Sequence, residues 1–218
     1  FYQDQTAHCA MLDKARLKKI LLQPVSAGVF EKISYGNTTD PFVGLAPHPV
    51  FSLNTLPHLT NPLYLIAEGL EKPGNLGAIL RSADAAGVTG LILCNSHTDI
   101  YNPNVIRASR GAFFTVPLAQ AASETAIQWL KDHGVQILSA SPEAAKLYSQ
   151  IDLTVPTAIA VGAEDAGLSA LWLAETLVKI PMNGQVDSLN VAQSASILVF
   201  EAMRQRLSKG CSLATHFL

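Results

Sequence analysis

The chain has 218 residues, 49% of them hydrophobic and 15% charged, which excludes a disordered chain and leaves room for one sizeable domain plus a smaller one. No apolar run reaches the roughly 18 residues that a membrane span needs. The three cysteines, Cys9, Cys94 and Cys211, are too scattered and odd in number for a disulfide framework or a zinc site, which fits a reducing cytoplasm. A net charge of −2 weighs against nucleic acid as a partner, although a small basic rim can sit on an acidic body.

The chain opens on Phe1 with no basic segment followed by an apolar core, so no signal peptide is read; either it begins inside a larger protein or its true start is disordered. A helix over 11–20, a short strand over 19–25, a helix over 26–33 capped by Ser26 and a last strand over 43–46 would form the rear of a small α/β unit. The Pro- and His-rich stretch from Leu45 to Pro62 reads as a border, giving an N-terminal domain with its linker over 1–57 and a second domain over 58–218. Beyond the border, expected strands at 63–67, 90–94, 113–116, 135–139, 157–161 and 178–180 are interleaved with helices. The helices are expected at 77–86 (stopped by Gly87), 103–109, 123–133 (capped by Ser123, ended by Gly134), 169–175 and 191–207. Strands without polar alternation, separated by helices, imply an α/β fold with a parallel sheet covered on both faces.

Three strand–loop–helix segments carry the chemistry. In the first, 68–87, Asn75 is placed to cap a helix, Gly77 allows close approach of a backbone or ligand, and Arg81 follows about one turn later. In the second, 160–169, Glu164 stands between Gly162 and Gly167 at a strand end, where ligands gather in open parallel sheets. In the third, 178–196, Ser188 and Asn190 precede a helix lined with the small residues Ala192, Ala195 and Ser196. Read alone, each segment has an ordinary reading as a capped helix or turn. The spacing of Gly74 and Gly77 is not G-x-G-x-x-G, so a dinucleotide fold is set aside.

In order and spacing the three segments resemble the three signature motifs of the SPOUT methyltransferases, in their SpoU/TrmH branch. The stretch from Asn102 to Phe114 is similar to what that family carries between its first two motifs, and the resemblance covers residues 63–206. The segment from Val25 to Ala46 resembles the tail of the family's ribosomal-protein-like RNA-binding domain. The resemblance implies a parallel-sheet domain with a C-terminal trefoil knot, an exception to ordinary connection rules. It also implies S-adenosylmethionine as cofactor, held by Gly162, Ile180, Met182, Ser188, Leu189 and Asn190, with Leu138 and Ser139 lining the adenosine. A bulky Gly162→Val change should then block the cofactor's approach to the backbone.

The implied activity is methyl transfer to a ribose 2′-OH of structured RNA, ribosomal ahead of transfer RNA. Asn75, Arg81, Glu164, Ser188 and Asn190 would be the polar catalytic residues, and Arg81, Arg107 and Arg110 the RNA contacts. A guanidinium, with a pKa above about 12, is a poor base; orienting a phosphate and stabilising the forming oxyanion suits Arg81 better, with Glu164 and Asn75 holding it and the ribose. Ala163 stands where many members carry Asn or Ser, and no metal is implied. A cytoplasmic homodimer is expected, its two-fold interface served by an apolar stripe of Val191, Ala195, Leu198, Val199 and Ala202. The alternatives are a SPOUT enzyme that methylates a base and a catalytically idle knotted protein that binds RNA or assists assembly.

Overall fold

The computed structural model describes residues 1–3, 10–36 and 41–210, so Cys9 and Cys211 lie outside the described residues. The chain divides into two compact units, Phe1–Val50 and Phe51–Leu218.

In the first unit, β1 (Tyr2–Gln3) pairs in parallel with β2 (Pro24–Val25), and two helices, α1 (Ala10–Leu17) and α2 (Ala27–Ile33), bury Leu12 and Phe30. Ser26 holds the N-cap position of α2 in extended backbone, without a side-chain cap bond. The expected strand over 43–46 does not form. Phe42 makes a single antiparallel bridge to Tyr2, and the N–H of Val43 reaches the Phe1 carbonyl at 3.0 Å. Pro47 and Pro49 follow, with no N–H to extend a ladder.

The second unit starts at Phe51, ahead of the border expected at 57. Leu53 and Leu56 are buried against one face of the sheet and Phe51 packs against the other face, so the part of this Pro-rich stretch from Phe51 onward is part of the domain's cover rather than a linker. Six strands follow: β3 (Leu63–Glu68), β4 (Gly90–Cys94), β5 (Leu118–Ala121), β6 (Gln136–Ala140), β7 (Thr157–Val161) and β8 (Thr176–Val178). They pair only in parallel, in the order β5-β4-β3-β7-β6-β8. Alternation along β3 shows why its apolar run is continuous: Leu63, Leu65 and Ala67 enter one core, Tyr64 and Ile66 the other. The first core lies under α3 (Pro73–Ala86), α4 (Pro103–Ser109) and α7 (Val191–Ser208). The second lies under α5 (Ser123–Asp132) and α6 (Ala170–Leu173), and Trp172 is fully buried there.

Several expectations shift. The stretch 113–116 is not a strand: Ala112–Phe114 form a 3-10 turn, because Phe113 turns inward against Phe51 and Tyr101, and pairing with β4 starts only at Leu118. Ser123 is not the cap of α5 but its first residue, buried and bonded to Glu68. The third-motif strand ends at Val178, before the expected 178–180. The apolar stripe of Val191, Ala195, Leu198, Val199 and Ala202 lies within the chain's own first core and is not available to a partner. The reason is that α7 packs across α3 as well as the sheet. Gly77 serves an internal contact too: a Cβ there would stand 2.4 Å from the Ala108 Cβ, so it lets α3 and α4 pack closely.

Candidate functional site

The chain builds β4 and β5 on one side of β3, then returns to lay β7 and β6 on the other. A crevice opens at the carboxyl ends of the strands where the winding reverses, the usual ligand position in such sheets. Three loops border it: 69–72 after β3, 162–168 after β7 and 179–190 after β8.

The loop after β7 is shaped by its glycines. A Cβ on Gly162 would lie 2.1 Å from the Gly167 carbonyl carbon and 2.4 Å from the Leu168 nitrogen, so only glycine lets the loop fold back on itself. Gly167 adopts φ +66° and its N–H donates to the Ala163 carbonyl at 2.9 Å. The loop is pinned where it enters α6. Glu68, buried at the end of β3, accepts from the Ser169 amide at 2.7 Å, the Ser169 hydroxyl at 2.9 Å and the Ser123 hydroxyl at 2.6 Å. Trp172 in turn donates its indole N–H to Ser123 at 3.0 Å. The sequence reading assigned no role to this buried carboxylate, although a Glu ending an apolar strand signals one.

This loop presents Glu164 to the other two. Its Oε1 accepts from Asn75 Nδ2 at 3.1 Å and from Asn190 Nδ2, and its Oε2 pairs with the ammonium of Lys72. Asn190 Nδ2 also reaches Asn75 Oδ1 at 3.2 Å, while Asn190 Oδ1 caps α7 by accepting the Ala192 N–H at 2.9 Å. The Lys72 ammonium holds the Glu164 carboxyl below the usual carboxylate range, helped by Asn75 and Asn190, and Glu164 in turn raises Lys72. With both oxygens engaged, Glu164 acts as a fixed anionic anchor rather than a free base. Asn75 is not a cap, as the sequence suggested: Lys72 occupies the N-cap and Pro73 the first turn, which turns the Asn75 amide toward Glu164.

Beside this network lies an open cleft, lined from the ends of β6, β7 and β8 and the loops that follow them. Of the residues the sequence assigns to the cofactor, Gly162, Ile180, Met182, Ser188 and Leu189 line it, together with Glu164, and Asn190 stands behind at the cap of α7. Leu138 and Ser139 do not reach it. Leu138 is buried in the first core, and Ser139 is fully buried with its hydroxyl donating to the Trp172 carbonyl at 2.8 Å. Inside a two-sided sheet every strand residue points into a core, so only the residues at and beyond the strand end, Ala140, Ser141 and Pro142, face the crevice. An apolar floor including Val161, Val178 and Ile180, with Ser141, Glu164 and Ser188 at its edges, suits a flat, polar-edged ligand such as a nucleoside. Loop 179–190 is tied to the chain after β6: the Lys179 N–H donates to the Lys146 carbonyl at 2.9 Å, and the Tyr148 N–H to the Lys179 carbonyl at 3.1 Å.

Arg81 is not drawn into this network. It lies exposed on α3 with no hydrogen bond or ion pair among the described residues, about 240° around the helix from Asn75. Arg107 and Arg110 are exposed on and just after α4, Arg110 in left-handed backbone at φ 55°. The described residues hold no group of three or more His, Cys, Asp or Glu side chains placed for a metal, and no helix among them is long and apolar enough to cross a membrane.

Comparison with known proteins gives a consistent set. The SpoU rRNA Methylase family matches residues 62–200. A 23S rRNA (guanosine-2'-O-)-methyltransferase RlmB of Shewanella oneidensis is 44% identical over 150 residues, 67% of this chain but only 61% of that protein. A 23S rRNA (uridine(2479)-2'-O)-methyltransferase of Streptomyces viridochromogenes is 31% identical over 207 residues, 91% of this chain and 71% of its own. Among solved structures, the SpoU methyltransferase AviRb from Streptomyces viridochromogenes in complex with AdoMet superposes with a TM-score of 0.83 at 28% identity, covering 95% of this chain and 82% of that one. The AdoMet-bound rRNA methyltransferase from Sinorhizobium meliloti gives 0.81 at 32% identity, covering 88% and 75%.

Proposed function

We propose an activity on one premise: the chain belongs to the SpoU rRNA methylase family, whose characteristic region spans residues 62–200. The reaction is transfer of a methyl group from S-adenosylmethionine to a ribose 2′-OH of RNA, ribosomal RNA ahead of transfer RNA. The carrying observation is the Glu164 network: one carboxylate at the lip of an apolar-floored, polar-edged cleft gathers Lys72 and Asn75 from the first motif and Asn190 from the third. When bound, the cofactor supplies a methyl group already activated on a sulfonium. The chain's residues supply position: Gly162, Ile180, Met182, Ser188 and Leu189 hold the cofactor, and Asn75 and Glu164 fix the acceptor side.

The bonded crossing of loop 179–190 over the chain after β6 fits the family's knot, and we assign it so. We assign the first unit, Phe1–Val50, to RNA binding, and place the enzyme in the cytoplasm with its RNA. A homodimer is supported by a second face of α7, distinct from the buried stripe. Phe200 and Leu207 are 40% and 52% exposed there, with Ile197 and Met203 half-buried beside them. Light scattering at micromolar concentration should give twice the chain mass; a monomer would remove this assignment.

Arg81, without a hydrogen bond or ion pair among the described residues, is assigned to the RNA and the forming oxyanion, with Arg107 and Arg110 contacting phosphates. Nucleoside analysis of RNA incubated with the protein and labelled S-adenosylmethionine tests the reading directly, and a methylated base in place of ribose would favour the base-modifying alternative. Arg81→Ala should lose about a hundred- to thousandfold in turnover. Arg81→Lys should recover little, and cofactor affinity should stay within about threefold. Near-normal transfer by a folded Arg81→Ala protein would take Arg81 out of the active site.

A further inference from the structure

A second, smaller depression adjoins the cofactor cleft. It shares Ala163, Glu164 and Val191 with the cleft and is otherwise walled by the first-motif loop, including Glu71, Lys72 and Asn75, and by Asp165. Its charges are uneven: Glu71, Glu164 and Asp165 are acidic, and Lys72 is the one cation on its wall among the described residues. Three carboxylates repel a phosphate, whereas a sugar can donate hydroxyl protons to them. Lys72 is held in a particular way. Its side chain is 66% exposed while that of Glu164 beneath it is 22% exposed, so the ammonium sits on the carboxylate at its open side. An ammonium has three N–H donors, and Glu164 takes one; no other acceptor for it occurs among the described residues.

We propose that Lys72 is a substrate-binding residue that donates to the 2′-oxygen of the acceptor ribose, with Glu164 as the anchor that aims it. This rests on the methyltransferase reading above and adds a specific ligand for the atom that is modified. Lys72 thereby becomes the group through which the site distinguishes RNA from DNA at the acceptor position, since only RNA carries that oxygen. Asn75, bonded to the same carboxylate, completes a polar wall around the sugar.

The test separates this from a purely structural effect on Glu164. Once nucleoside mapping has located the methylated nucleotide, an RNA oligonucleotide spanning it is compared with the same oligonucleotide carrying a single 2′-deoxy substitution there. Binding is measured by fluorescence anisotropy with S-adenosylhomocysteine present, so that no transfer occurs. The parent should bind the all-ribose oligonucleotide about tenfold more tightly, the worth of a hydrogen bond to a charged donor. In Lys72→Met that ratio should fall to within about twofold of unity, with S-adenosylhomocysteine affinity by calorimetry and Tm unchanged. If Lys72 only steadies Glu164, Lys72→Met weakens both oligonucleotides equally and the ratio persists, which overturns the proposal; so does a parent with no 2′-OH preference. A failure to find any 2′-O-methylated nucleotide would instead strike the functional reading itself.

Discussion

The loop after β7, to which we assign the cofactor, stands or falls on Gly162. A Cβ added there would be 2.1 Å from the Gly167 carbonyl carbon and 2.2 Å from its oxygen, against an unstrained carbon–carbon separation of about 3.5 Å. Every atom struck is backbone, so no side-chain rotation relieves the contact, and the loop must move by more than about 1 Å. The 3.1 Å bond from Asn75 to Glu164 would not survive such a displacement. We place Gly162→Ala at about 3 kcal/mol, the upper end of the overpacking range, equivalent to about 6–12 °C in Tm for a domain of this size. If the loop opens locally instead of the domain unfolding, the same energy appears as roughly a hundredfold loss in S-adenosylmethionine affinity. Differential scanning calorimetry and cofactor titration of one sample read both routes. Gly74→Ala is the control, since nothing lies within 4 Å of the added methyl, and it should be neutral or slightly stabilising. A Gly162→Ala protein with parental Tm and parental affinity would refute the packing argument. The same geometry alters the meaning of Gly162→Val: its failure to bind cofactor would report a broken loop, not a blocked ligand contact.

Arg206, buried near the end of α7, donates to the carbonyls of Asn61, Pro62, Leu153 and Val155 at 2.9–3.0 Å. Pro62 and Val155 also accept from Thr157, so Arg206→Met should cost about 2–4 kcal/mol in urea unfolding, mostly from Asn61 and Leu153. Burial pushes the Cys94 thiol up to about 12, so Cys94 should resist iodoacetamide at pH 8 until the protein is unfolded, as peptide mass spectrometry would read. Thr154, through its hydroxyl and its amide, holds the Asp152 carboxyl down to about 2, with Lys209 assisting. A lowered carboxylate stabilises the fold above its ordinary value of about 3.9 and loses that contribution as pH falls through the lowered one. The deficit of Asp152→Asn against the parent should therefore be full at pH 6 and fade between about pH 4 and pH 2; a deficit constant across that window would refute the assignment.

What the sequence determined by itself was the order of the chemistry. Continuous apolar strands, glycine-flanked loops and the residues Asn75, Glu164, Ser188 and Asn190 were legible because burial on both sheet faces and a turn at each strand end leave local, periodic marks. Where pairing partners decide, the sequence was silent. It placed a strand at 113–116, where an aromatic cluster turns the chain, and read the apolar side of α7 as a partner's surface, although α3 and the sheet already cover it. It put Leu138 and Ser139 in the cofactor site, because a strand's address says where it ends but not which of its residues clears the cores. Lys72 and Glu68 were read over as loop residues. Glu164 lies 92 positions from Lys72, and Ser169 lies 101 from Glu68. No local pattern encodes such pairs; they arise only when parallel pairing of β3 with β7 brings two strand ends side by side, so that the carboxylate from one loop meets the donors of the other.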